Sequence, residues 1–180
     1  MESERLVLRR PADGDLGHFL AYLNDPAVAR YQSWESYTEE QALEVIERQK
    51  GVEPGTPGRW FTFAAESKET GEMIGHVALS VKAEDHRQAE MGFTFERRHQ
   101  GRGLAREAAE AVLDYAFGVL GLHRVVAVTD RENGRSVALL ERLGMRREGH
   151  FVENIWFKGA WGSEYLYALL RKEWLSRRAA

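Results

Sequence analysis

Apolar positions along the chain change their period several times, and each change predicts an element. "RLVLR" alternates over 5–9 and predicts a first strand. Leu16, Phe19, Leu20 and Leu23 then recur at helical spacing, with Asp13 or Asp15 able to cap that helix and Asn24-Asp25-Pro26 to stop it. A second helix opens on a capping-box pattern from Thr38 to Gln41 and sets Ala42, Val45, Ile46 and Gln49 along one face. "GVEPGTPGR" is punctuated by Gly and Pro and reads as a loop. "RWFTFAA", "EMIGHVALSV" and "AEMGFTF" follow as strands of a meander, the first two joined by a turn at Lys68-Glu69-Thr70-Gly71. A helix is predicted over about 105–120. "HRVVAVTD" is a short continuous apolar run, as in a strand buried on both faces. A helix over 136–143 ends at Gly144, and strands over 145–157 and 164–170 close the chain around a turn at "FKGAWG".

This order has a strand–helix–strand unit near its middle. It predicts one parallel pair inside a mixed, mostly antiparallel sheet. The 180 residues suit a single domain over 1–180 with a core of ordinary size.

Composition narrows the classes. Hydrophobic residues make up 43% and charged residues 29%, the balance of a soluble globular protein. No apolar run approaches the roughly 18 residues of a membrane span, and "MESERLVLRRP" has no secretory h-region. The absence of cysteine removes disulfides and thiolate chemistry and fits a cytoplasmic setting. A net charge of −3 argues against a broad nucleic-acid surface, although Arg97, Arg98, Arg102 and Arg106 form a local basic cluster. The histidines show no metal-ligand spacing, so no metal is expected.

That basic cluster surrounds "HQGRGLAREAAEAV". Ala105, Ala108, Ala109, Val112 and Ala116 give the helix a face of mostly small residues for close approach to a sheet. Gly101 and Gly103 can serve as a tight strand-to-helix turn. They can also turn backbone N–H groups outward at a helix N-terminus, where an anion is favoured. A dinucleotide fingerprint fails, because Arg106 stands where its third glycine belongs, and no G-K-[ST] follows for a Walker motif. The turn and the anion site both remain open on spacing alone.

"QGRGLA" resembles the Q/R-x-x-G-x-G/A motif of the GNAT acyltransferase superfamily, with Gln100, Gly103 and Ala105 at its defining positions. "NGRSVALLERLGM" resembles that family's N-x-x-S segment, with Asn133 and Ser136. The two ends of the chain resemble the branch containing the ribosomal-protein N-terminal acetyltransferases. The resemblance implies a GNAT-like seven-stranded α/β fold with a splayed parallel pair and helices on both faces. It also implies acetyl-CoA as cosubstrate. The backbone of Phe93, Thr94 and Phe95 would pair with the pantetheine arm. Gln100, Gly101, Arg102, Gly103, Leu104, Ala105 and Arg106 would hold the pyrophosphate, with His99 close by. Asn133 would fix the cofactor arm, or serve only as a helix cap.

The chemistry implied is attack of an amine on the thioester, which calls for a neutral amine, a stabilised oxyanion and a protonated leaving thiol. Many relatives carry an acid/base pair at positions that here hold Val128 and Leu140, so that pair is absent. Ser136 is the candidate acid, or a helix-start residue. Glu153 is the candidate base, with Glu90 a second candidate; either could equally be a solvated surface residue. An α-amine has a pKa of roughly 8 against roughly 10.4 for lysine. A site short of a base therefore points first to a protein N-terminus as acceptor. The alternatives are a small-molecule amine, such as an aminoglycoside or polyamine, and a non-catalytic acyl-CoA sensor. Tyr31, Trp34, Tyr37, Trp156 and Trp161 are candidate linings of an acceptor groove. A monomer or homodimer is expected, with no nucleic-acid or membrane partner.

Overall fold

The computed structural model describes residues 1–179. Its strands are β1 (Leu6–Arg9), β2 (Trp60–Ser67), β3 (Met73–Val81), β4 (Gln88–Phe95), β5 (Arg124–Asp130), β6 (Arg146–Phe157) and β7 (Ala160–Leu170). They form one sheet in the order β1-β2-β3-β4-β5-β7-β6. Every neighbouring pair is antiparallel except β4 and β5, which run parallel. The helices are α1 (Leu16–Leu23), α2 (Pro26–Ala29), α3 (Glu39–Lys50), α4 (Leu104–Asp114), α5 (Gly134–Arg142) and α6 (Arg171–Ala179). This is the mixed seven-stranded architecture expected from the order of elements.

Each face of the sheet has its own core. On one face, Leu6, Leu8, Phe63, Val77, Met91 and Val125 are buried against Ala108, Ala109 and Val112 of α4. The small side chains of α4 allow this close approach, so the helix that follows the glycine stretch is rigidly seated. On the other face, Phe19, Tyr22 and Leu23 of α1 and Ala42 of α3 pack on Ala64 and Met73. That second layer covers the β2–β3 side and leaves residues of β4, β5 and β7 partly open.

The capping box of α3 is present. Thr38 Oγ1 accepts from the Gln41 N–H at 3.2 Å, and Gln41 Oε1 accepts from the Thr38 N–H at 2.9 Å. Thr38→Ala should cost about 1 kcal/mol of stability, read as a lower urea midpoint at unchanged m-value.

Four local features depart from the expected pattern. Asp15 does not cap α1. Its carboxylate is nearly buried and instead accepts two bonds from Arg9 at 2.7 Å and one from the Ala12 N–H at 2.7 Å. A buried charge takes the charged partner before the helix end. The helix predicted to about residue 120 ends at Asp114 and continues as one π turn over Tyr115–Val119, with the Leu120 N–H donating to the Tyr115 carbonyl at 3.0 Å. Helix α6 has no counterpart in the apolar pattern, because it buries a single residue, Trp174, whose Nε1 donates to Asp114 Oδ1 at 2.8 Å. The last hairpin turns on Lys158 and Gly159 alone, both at positive φ, so β7 begins at Ala160. Such a turn matches the twist of the two strands.

Candidate active site

The parallel pairing of β4 and β5 is short. It runs through Gln88–Arg124, Ala89–Val125 and Glu90–Val126 and then stops. Both strands go on, β4 to Phe95 and β5 to Asp130, without a strand partner on the sides that face each other. A V-shaped opening results, with its apex just past Glu90. Phe93, Thr94 and Phe95 lie on its β4 edge, as expected for backbone that pairs with an extended ligand arm.

Because the strands are parallel, α4 and α5 both begin at the wide end. Helix α4 starts after Gly103, which takes φ +81° and supplies no side-chain cap to the first turn. The first N–H groups of α4 therefore have no side-chain cap, and the end of a helix in that state favours an anion. Gly101 takes φ +75°, and a Cβ added there would meet nothing within 4 Å, so the backbone faces open space. Glu107 anchors this turn from below: it accepts from the Arg5 N–H at 2.6 Å, Arg5 Nε at 2.7 Å and Ser3 Oγ at 2.7 Å. Nothing in the periodicity marked Glu107, since its partners are about a hundred residues away. Within the basic cluster, Arg98 pairs with Glu96 at 2.7 Å and Arg106 with Glu110 at 2.8 Å, while Arg102 is exposed with no carboxylate partner among the described residues. His99 is largely buried below the loop. Its Nε2 has no hydrogen-bond partner, and burial pulls its pKa below the usual value.

On the β5 arm, Asn133 caps α5 by accepting from the Ser136 N–H at 3.2 Å. The capping role is therefore present, and the Asn133 side-chain nitrogen has no partner among the described residues. The Ser136 hydroxyl is half-buried in the first turn of α5 and is likewise unpaired there. Leu140, by contrast, is wholly buried in the core.

The sheet face opposite α4 is the candidate acceptor face. Register places Glu90, Val126, Val128, Asp130, Leu166 and Glu164 on that one face. Glu90 is half-buried at the apex of the V. Burial pushes its carboxyl above the ordinary range, Glu164 adds to the shift, and Lys82 opposes it. Glu164 accepts from Asn154 Nδ2 at 2.6 Å. On the α1 side of that face, Tyr22 Oη and His76 Nδ1 share a hydrogen bond at 2.7 Å, with His76 pushed by burial down to about 4 and hence neutral. The β6–β7 hairpin reaches α2 through Lys158 Nζ, which donates to the Ala29 carbonyl at 2.6 Å. Trp156 and Trp161 stack edge to face at the exposed hairpin tip. Trp34 and Tyr37 pack against the α1–α3 core instead.

Glu153 sits elsewhere. It is exposed at φ +47° in a bulge of β6, with its N–H donating to Ser163 Oγ at 2.9 Å. Among the described residues there is no cluster of three or more His, Asp or Glu side chains suited to a metal, and no helix is long and apolar enough to cross a membrane.

These features coincide with a known family. Residues 5–146 match the model of the acetyltransferase (GNAT) domain. The chain is 32% identical over 172 residues to the uncharacterized N-acetyltransferase YnaD of Bacillus subtilis, covering 96% of this chain and 97% of YnaD. It superposes on a GNAT-family acetyltransferase from Bacillus anthracis with a TM-score of 0.87 and 30% identity, covering 96% of this chain and 99% of that one. A spermidine N-acetyltransferase from Vibrio cholerae, solved with CoA and spermine, matches with a TM-score of 0.82 and 26% identity over 95% of this chain and 98% of that one. The chain belongs to the GNAT acetyltransferase family and is an acetyl-CoA-dependent N-acetyltransferase.

Proposed function

We propose that the chain is a single acetyltransferase domain that acetylates a primary amine carried by a small cationic molecule of the polyamine type. The observation that carries this reading is the sheet face opposite α4, which carries Glu90 at the apex of the opening and Asp130 and Glu164, paired with each other, toward its wide end. Three carboxylates along one face favour an acceptor with more than one ammonium group. The likeness to the V. cholerae enzyme solved with spermine supports the same acceptor class.

Acetyl-CoA supplies an activated acyl thioester. The protein's part divides among its elements. The β4 edge at Phe93, Thr94 and Phe95 offers backbone groups to the pantetheine arm. The turn Gln100, Gly101, Arg102, Gly103 and the first residues of α4, Leu104, Ala105 and Arg106, hold the pyrophosphate. Asn133 directs its free amide nitrogen toward the cofactor arm while it caps α5. Glu90 takes a proton from the incoming ammonium, directly or through one water, and its raised pKa suits it to a base working near neutrality. Ser136 donates its hydroxyl proton toward the departing sulfur. Glu153, out on the β6 bulge, is better suited to acceptor contact than to proton transfer at the apex.

A protein N-terminus is the second reading, supported by the resemblance of the chain's ends to the ribosomal N-terminal acetyltransferases. Thiol release from acetyl-CoA separates the two. The acceptors are spermidine, spermine, a peptide with a free N-terminus and the same peptide with its N-terminus blocked. Turnover should be fastest with the polyamines. Turnover only with the free-N-terminus peptide would overturn the polyamine reading.

A further inference from the structure

The two arms of the opening are tied across its wide end by a single chain of hydrogen bonds. Gln100 Nε2 donates to the carbonyl of Phe95, the last residue of β4, at 2.8 Å. Gln100 Oε1 accepts from Arg135 Nη1 at 2.6 Å. Arg135 is the second residue of α5, which follows β5, so this bond joins the β4 arm to the β5 arm.

Two features set Arg135 apart from its neighbours. Its partner is a neutral amide, whereas Arg5, Arg98 and Arg106 around the same mouth are held by Glu107, Glu96 and Glu110. Arg135 also stands in the first turn of a helix, where the macrodipole disfavours a cation, and that turn contains no acidic residue to offset it. A guanidinium held by a neutral group, at an unfavourable helix end and beside an anion site, gains by exchanging its partner for phosphate. A guanidinium–phosphate pair joins two opposite charges and can form two parallel bonds, which the single bond to a neutral amide cannot match.

We propose that Arg135 is a phosphate clamp for CoA: Gln100 is its resting partner, and Arg135 leaves it for a phosphate group when the cofactor binds. The group is either the pyrophosphate or the 3′-phosphate, which carry the same chemistry. The inference rests on CoA occupying the β4–β5 opening.

Calorimetric titration with CoA and with dephospho-CoA, at low and high salt, tests it. Arg135→Met should raise the CoA Kd about tenfold at low salt and flatten its salt dependence, and Arg135→Lys should recover part of the loss. The melting temperature of the CoA-free protein should be unchanged, because Arg135 is exposed. If Arg135→Met melts early, Arg135→Gln replaces it in the same titrations. A loss that persists with dephospho-CoA assigns the clamp to the pyrophosphate, and a loss that vanishes assigns it to the 3′-phosphate. Equal Kd values for wild type and variant with both ligands at low salt would overturn the clamp. Failure of the wild type to bind CoA at all would instead remove the opening as the cofactor site.

Discussion

Glu90→Gln should lower kcat by about 10²- to 10³-fold, the usual contribution of a positioned general base. Glu90 is the last β4 residue paired with β5, so its side chain stands where the opening begins. The direction of its pKa fixes two further outcomes. Burial, with a contribution from Glu164 and against Lys82, raises the carboxyl above its ordinary value. The wild-type rate should therefore rise with pH through that raised pKa, and Glu90→Gln should lack this limb. A raised carboxyl in the folded state means that the native protein binds the proton more tightly than the unfolded chain. Its stabilising effect is present at low pH and is lost as pH climbs from the ordinary carboxyl value through the raised one. Glutamine carries no charge to bury. At neutral pH the variant should melt no lower than wild type while losing most of its activity. A variant that kept wild-type kcat and the same pH profile would remove Glu90 from proton transfer.

Gly103→Asp should weaken CoA binding by on the order of 10²-fold. A carboxylate about 4 Å from a phosphate charge costs roughly 4 kcal/mol at a protein-surface dielectric and about 1 kcal/mol in bulk water. The site lies between these limits. The backbone adds a smaller cost, since φ +81° is left-handed and strains any residue with a Cβ by roughly 1–2 kcal/mol. The added Cβ would lie 3.4 Å from Arg5 Nη2, which is contact rather than collision, so the fold should persist. Gly103→Ala carries the strain without the charge and should lose about tenfold less affinity than the aspartate variant. Calorimetry on both, beside thermal melts, separates charge from strain. An unchanged Kd in Gly103→Asp would show that the α4 N-terminus does not face the pyrophosphate.

Much of this architecture was legible from local patterns. The capping box at Thr38, the meander from Trp60 to Phe95 and the continuous apolar run before Asp130 each form the element their period predicts. Gly101 and Gly103 both take positive φ, as a turn that presents its backbone requires. What escaped the sequence is non-local. The place where β4 and β5 part depends on their register, and no residue type announces it. Arg135 and Gln100 lie 35 positions apart and meet only because both follow strands that run the same way. Glu90 and Glu164 share a face only once β4, β5 and β7 are aligned in register. Glu153 sits in an irregular stretch of β6, where a bulge between Phe151 and Ile155 breaks the period of two. Alternation therefore could not say which way its side chain faces. Helix α6 shows the same limit: Trp174 is its one buried residue, and one buried residue makes no stripe.

Transfer should be direct between two substrates bound together, the thioester in the β4–β5 opening and the amine on the Glu90 side. Initial-velocity thiol release with acetyl-CoA and spermidine both varied tests it most directly. Double-reciprocal lines should intersect, with release dependent on the amine. Parallel lines, which signal an acyl-enzyme formed before the amine binds, or release indifferent to the amine, would contradict it.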